Sequence, residues 1–380
     1  VQTLGLSKTD RATYLAALSH SYVMGTELRV LTLDGTLVTN IKPAMQDGQV
    51  NIDTSGDVTR SATMTFQDPG ASLQFSPDSP GDGAVYFNNM VQVRVSVYVE
   101  ALGDTVTCPV FTGPIVKFDR TGDLVSLEAQ GKESFGLNGC PTLTLRKGHN
   151  AVDAIHDILS MRTGETKFSL PQGNTRRLPS DVHASWDDDH QPWKVCKNIA
   201  ASLGMQLYYD GAGVCRLRDL PGAPVYTFRD GDGGNITAPV AVSHDKTELR
   251  NQVHVVGKKP AHQATANLPD WHPASSWNLR RNGHRTYLRV SIQDNKIGST
   301  SAAKARANNV LDQYLRLHFG CTFSALPVFP LEELDLVHIS TDQYTSSERL
   351  RQASFPITGG DMTFGYTDVV SAAKHPRRRP

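Results

Sequence analysis

Four places in this sequence bring together residue types that can do chemistry. Ser243-His244-Asp245 sets the three members of a nucleophilic triad side by side. Consecutive residues of a strand point to opposite faces, so the three cannot converge on one substrate atom, and adjacency argues against a triad. Asp230-Gly231-Asp232-Gly233 is similar to the opening of a calcium loop, but Ala241 stands where such a loop needs its bidentate Glu. A glycine-rich turn between strands is the expectation there. Asp187-Asp188-Asp189 could hold a hard cation, yet three adjacent carboxylates equally suit the positive end of a helix dipole. His254, His262, His272 and His284 lie eight to twelve residues apart and match no common metal-ligand spacing.

Other chemistry lacks its motif. The cysteines, Cys108, Cys140, Cys196, Cys215 and Cys321, are odd in number, scattered, and contain no Cys-x-x-Cys pair. Neither structural zinc nor a disulfide framework is expected, and folding in a reduced, cytoplasmic setting is. Gly131-Lys132-Glu133 lacks the upstream Gly and the following Ser or Thr of a phosphate loop, and no GxGxxG, HExxH or GxSxG occurs in a fitting context. No catalytic, cofactor or metal residue is assigned, and the expectation is a protein that is not an enzyme. Lys plus Arg and Asp plus Glu both number 38, so the net charge is zero. That argues against a dedicated nucleic-acid binder and against a polybasic membrane-surface protein. No run approaches the roughly 18 apolar residues of a membrane span, and Val1–Asp10 has no basic region followed by an apolar stretch, so no signal peptide is expected.

A chain of 380 residues exceeds what one core usually organises, so several domains are expected. Residues 1–24 read as a helical arm, with Ser7 as cap and Tyr14, Leu15 and Leu18 on one face. Residues 25–140 change to a period of two. Asp34-Gly35 marks a hairpin, and strands are expected at 49–53, 60–67, 91–99, 110–118 and 124–130. Along Val91–Val99 every second residue is Val. So many strands in so short a stretch suggest a small barrel or sandwich. Residues 141–222 read as an α+β module. A helix capped by Asn150 carries Val152, Ile155 and Leu159, a second runs from Trp193 to Gly204, and two strands follow around Asp210–Gly213. Residues 223–370 form a second β region with strands near 225–228, 240–243, 252–256, 287–292, 333–339 and 362–366 and a helix over 302–319. It is interrupted by an exposed insertion at 257–284, rich in Pro, His, Asn and Trp. Residues 371–380 are a basic, proline-rich tail expected to be flexible.

Charge is informative once mapped. Residues 41–110 carry eight acidic and three basic side chains; residues 277–318 carry eight basic and two acidic. Opposed patches on a neutral chain favour head-to-tail association, although two solvated faces would give the same counts. Exposed Trp is enriched at interface anchors, although the rings of Trp271 and Trp277 would equally serve to pack the loop onto its own domain. Trp271, Trp277, Arg280, Arg281, Arg285 and Arg289 are therefore the candidate interface residues.

The order of elements resembles the central baseplate or tail-tip hub of tailed bacteriophages, and the N-terminal part the minor tail proteins of long-tailed actinobacterial phages. The resemblance is carried by Tyr14–His20, Leu28–Leu31 with Asp34-Gly35, Gly48–Asp53, Arg60–Phe66, Phe111-Thr112-Gly113-Pro114-Ile115 and Val125–Ala129. It continues through Trp193–Gly204, Leu207–Asp210, Asn251–Gly257, the 302–319 helix and Leu334-Asp335-Leu336-Val337. It implies a mainly β fold with α+β parts: two small β-barrels of tail-tube type with a helix-plus-hairpin module between them. It also implies a homotrimer whose barrels form a ring continuing the hexameric tail tube, with a lumen for DNA and the tape-measure protein. A distal tail protein or tube ring and tail-tip or receptor-binding proteins would be its partners. DNA would be present only in transit, and the protein would sit at the virion tail tip after synthesis in the host cytoplasm. The alternatives are a cell-wall hydrolase and a carbohydrate- or receptor-binding module using Trp271 and Trp277. The 257–284 insertion is not part of the pattern.

Overall fold

The computed structural model describes residues 1–20, 22–41, 44–71, 73, 89–178, 180–244, 249–257, 259–272, 274–293, 299–314 and 316–371. They fall into two units, one comprising Val1–Pro239 with Phe323–Phe364 and the other Val240–Thr322 with Gly365 onward.

The first unit opens with helix α1, Lys8–Ala17, whose N-terminus is capped by the Ser7 hydroxyl accepting the Asp10 amide. Eight strands then run in an antiparallel sheet in the order 352–356, 44–53, 60–67, 124–130, 104–121, 90–99, 24–31, 37–41. The alternation along Met90–Val99 is realised: Val91, Val93, Val95, Val97 and Val99 are buried, whereas Gln92, Arg94, Ser96 and Tyr98 are not. Asp104–Thr121 is long enough to pair first with 90–99 and then with 124–130, and its register shifts at both contacts. The crossover is tight at Gly113, where a Cβ would stand 1.9 Å from the Gln130 carbonyl oxygen.

The same unit holds a helical module. Helix α2, Ala151–Thr163, is capped by Asn150, whose side chain accepts the Val152 amide at 2.8 Å. Helix α3, Pro192–Leu203, starts on a proline and stops at Gly204 in the left-handed region. The helices pack with the hairpin 206–209/215–218 around Ile155, Leu159, Cys196, Ile199 and Leu207. Trp193 is fully buried, stacks on Tyr209 at 5.2 Å and donates its indole N–H to the Asp57 carbonyl at 3.1 Å. That bond ties the module to the 53–60 turn of the sheet.

The second unit is a three-stranded sheet, 252–256 between antiparallel 263–267 and parallel 289–293. Helix α4, Thr300–Tyr314, contributes Ala303, Ala307, Val310 and Leu311 to one core with Val253, Val255, Ala266 and Leu268. Strand 241–244 pairs antiparallel with the strand that begins at Arg316.

Four expectations change. First, among the described residues no sheet closes into a barrel. Second, residues 226–239 and 323–364 do not group with the second β region. Strand 352–356 pairs with 49–53, and 226–229, which pairs in parallel with 336–340, groups with them in the first unit. Third, the final helix ends at Tyr314 and Arg316–Ala325 is a strand; Leu317, Phe319, Cys321 and Phe323 already alternate with period two in the sequence. Fourth, the 257–284 segment is not a bare excursion. It supplies the strand 263–267 and buries His272, Ala274 and Ser275. The 371–380 tail lies outside the described residues beyond Ser371.

Candidate assembly interface

The candidate interface residues fall on the 270–289 stretch of the second unit. The turn at 270–278 is held from within. Ser275 Oγ donates to the Asp270 carbonyl at 3.2 Å, Asn278 Nδ2 donates to the carbonyls of Asp270 and His272, and His272 Nδ1 accepts the Ala274 amide at 3.1 Å. On this frame Trp271 and Trp277 stand roughly half exposed, at 49 % and 44 %. Arg280 lies over the Trp277 ring at 4.5 Å and Arg285 at 5.3 Å, where the ring's negative face attracts a cation. Arg285 is also held by both Asp270 carboxylate oxygens, at 2.9 and 3.0 Å. The fold thus gathers Trp277, Arg280 and Arg285. Trp271 neighbours His272 instead, Arg281 is exposed and pairs with His284 only through its backbone, and Arg289 donates to the Gln252 side chain.

The acidic count over 41–110 overstates the free charge. Asp68 is buried against Arg120 at 2.9 Å, and Asp57 faces Lys194 at 3.7 Å. Both bases lie outside the counted window. Asp78 and Asp82 lie outside the described residues. An apolar groove also opens on the first unit, between the end of α1 and the end of strand 90–99. Its volume is about 690 Å³ and its lining includes Tyr22, Val23, Tyr98 and Ala101. Val23 is 83 % and Tyr98 57 % exposed.

The motifs first singled out for chemistry fall on strands and turns. Ser243 and His244 are strand residues, and Asp245 lies outside the described residues. Gly231 and Gly233 take positive φ in a turn. Asp187 bonds His190 at 3.0 Å across a short 3-10 turn, while α3 itself begins at Pro192. His254 bonds Thr265 across its sheet. Among the described residues no three His, Cys, Asp or Glu side chains gather as a metal would need, and no helix is long and apolar enough to cross a membrane.

Sequence reasoning missed a buried charge cluster in the first unit. Arg60, at the start of strand 60–67, pairs with Glu332 and donates to the Val110 carbonyl at 2.9 Å. Lys132 pairs with Glu165 at 2.5 Å and donates to the Gly213 carbonyl. Arg216 pairs with Asp210 at 2.5 Å, and Arg218 with Asp335 at 3.1 Å. The sheet, the hairpin module and the returning 332–335 segment are joined by these contacts. Burial works against the Arg60 charge, but Glu332, Glu333, Asp210 and Glu133 outweigh it and hold its pKa above the ordinary value. Burial, reinforced by Glu133, pushes Glu333 up to about 8. Leu331-Glu332-Glu333-Leu334-Asp335 carried the signal: three carboxylates set between leucines at the start of an expected strand.

A pH dependence follows from Glu333. Its unfolded pKa is near 4.5 and its folded pKa near 8, so the native state binds the extra proton between those values. Stability falls as pH rises through that window, because the native state has more to lose. We expect urea midpoints to decline from pH 5 to pH 8.5 and E333Q to flatten the decline. An unchanged slope in E333Q would remove Glu333 as its source.

No protein-family model and no curated protein matches this sequence. Solved structures do share its fold. A tail protein from Neisseria meningitidis superposes with TM-score 0.60 at 14 % identity, covering 90 % of this chain and 96 % of its own. The 43 kDa tail protein of prophage MuSo2 from Shewanella oneidensis gives 0.62 at 10 % identity, over 92 % and 98 %. A chain of the half-lidded Francisella PdpA-VgrG complex gives 0.54 at 9 % identity, over 98 % of this chain and 63 % of that one. The chain shares its fold with these two tail proteins.

Proposed function

We propose that this chain is a structural protein of a phage tail tip or baseplate, the hub on which the tip is built. The observation that carries the reading is the end-to-end likeness to two tail proteins, one of them from a prophage, over at least 90 % of this chain and 96 % of each of theirs. In this reading three copies form a ring that continues the tail tube, and the open sheets serve as parts of two tube-type barrels around a lumen. DNA and the tape-measure protein pass through that lumen, which a neutral chain would not grip tightly. Partners are the tube ring above and tip or receptor-binding proteins below. The role is non-enzymatic and the place is the virion tail tip. The Trp277–Arg280–Arg285 surface and the Val23–Tyr98 groove are the faces offered to neighbouring copies or rings.

Light scattering of the purified chain at several concentrations and salt levels tests the reading. A discrete trimer is expected, and it weakens with salt if the arginine surface takes part. A monomer that also fails to join purified tail tubes would overturn it. R280E/R281E is the cleaner probe of the surface, because Arg285 holds its own turn through Asp270. We expect the double reversal to lower the association constant about tenfold; an unchanged trimer discards the surface and keeps the ring.

A further inference from the structure

A second cavity, of about 220 Å³, opens in the first unit beside the C-terminal end of α3. Ala200, Met205, Leu207 and Leu220 supply apolar walls, and Thr59, Lys197 and Glu333 line it as well. Glu333 is 2 % exposed and its Oε2 has no hydrogen-bond partner. Glu133, fully buried, likewise has an unpartnered Oε2, and the Thr59 hydroxyl donates to its other oxygen at 2.7 Å. A buried carboxyl oxygen without a partner, protonated or not, costs about 1–3 kcal/mol, and folded proteins rarely keep one idle.

We propose that this cavity is a socket for one arginine side chain presented by a partner protein, with the guanidinium seated on Glu333 and the methylene stem along the apolar walls. The chemistry favours that occupant. A guanidinium brings several N–H donors in one plane and is less strongly hydrated than an ammonium. Its stem packs well on apolar surface. The nearby guanidinium groups place their terminal nitrogens elsewhere: Arg60 gives its two to Glu332 and the Val110 carbonyl, leaving Nε without a partner, and Arg218 serves Asp335 and the Glu333 carbonyl. A metal is a poorer fit, because no third ligating side chain joins the pair among the described residues. Lys197 is the competitor already at the cavity.

The charged and polar groups acting on Glu333 are Glu133, Arg60, Thr59 and Lys197. Glu333 holds its proton near neutral pH, so seating a guanidinium releases that proton and affinity rises with pH. This proposal does not depend on the trimeric ring, and its test leaves the ring untouched. Calorimetric titration of the full chain with capped Gly-Arg-Gly, at pH 7 and 8.5 and in buffers of different ionisation enthalpy, reads both binding and proton release. The wild type should bind more tightly at pH 8.5 and release a proton. E333Q, which removes a buried ionisable group and should fold at least as well, should bind about tenfold or more weakly. K197M should bind more tightly than wild type. Equal binding by E333Q and wild type overturns the proposal. So does binding confined to K197M, which would make Lys197 the occupant, and so does an absence of binding in all three.

Discussion

Replacing Arg60 with Met should cost about 3–5 kcal/mol of unfolding free energy, the range for breaking one side of a buried ion pair. Arg60 and Glu332 are 4 % and 2 % exposed, and Glu332 is left facing Asp210 and Asp335 once the cation has gone. The carboxyl can relieve part of the penalty by holding a proton, so the loss should grow as pH rises. Urea unfolding at pH 6 and pH 8.5 reads both effects. R60M/E332L removes both charges and should recover most of the stability, since apolar pairs of similar volume often replace buried ion pairs without loss. A loss below about 1 kcal/mol in R60M would mean that the pair behaves as a solvated surface bridge, and the joint between sheet and 332–335 segment would need another explanation.

Gly113→Ala should be the most damaging methyl that can be added to the sheet. The new Cβ would lie 1.9 Å from the Gln130 carbonyl oxygen, 2.9 Å from its carbon and 3.0 Å from the Phe111 ring. Two of these neighbours are backbone, so relief requires parting strand 104–121 from the end of strand 124–130. Overpacking in a well-filled core costs about 1–3 kcal/mol and more where the backbone must move; we expect about 3 kcal/mol or an insoluble product. Gly25→Ala is the matched control. It lies in strand 24–31 with nothing within 4 Å of its Cβ position, and should stay within about 0.5 kcal/mol of wild type. Equal losses in the two variants would show that strand glycines matter here for flexibility and not for close approach.

Much of the local structure was legible because local structure is set by nearby residues. Val at every second position from 91 to 99 dictates a strand with one buried face, and Ser7 and Asn150 cap helices whose orphan amides lie two or three residues on. The expected helix at 193–204 differs from α3 only at its ends. The segment Phe111–Ile115, singled out as a motif, contains the one glycine that the strand crossover requires. The candidate interface was legible in part. Trp277, Arg280 and Arg285 do meet, since they lie close along the chain, whereas Arg289 is held by Gln252 and Arg281 stays exposed beside them.

What the sequence alone determined, then, is periodicity, caps, turns and an uncommitted surface chemistry. Only the tertiary structure decided that strand 352–356 pairs with 49–53, some 300 positions away, and that Glu332, Glu333 and Asp335 are interior residues. The physical reason is that pairing and burial depend on partners the local pattern does not contain. A carboxylate reads as solvated until the fold brings it an arginine from one segment and takes away its water with another. Arg60 comes from the sheet, Asp210 and Arg218 from the hairpin, and Glu332 from the returning chain. Their charges can be buried together only once all three segments have met.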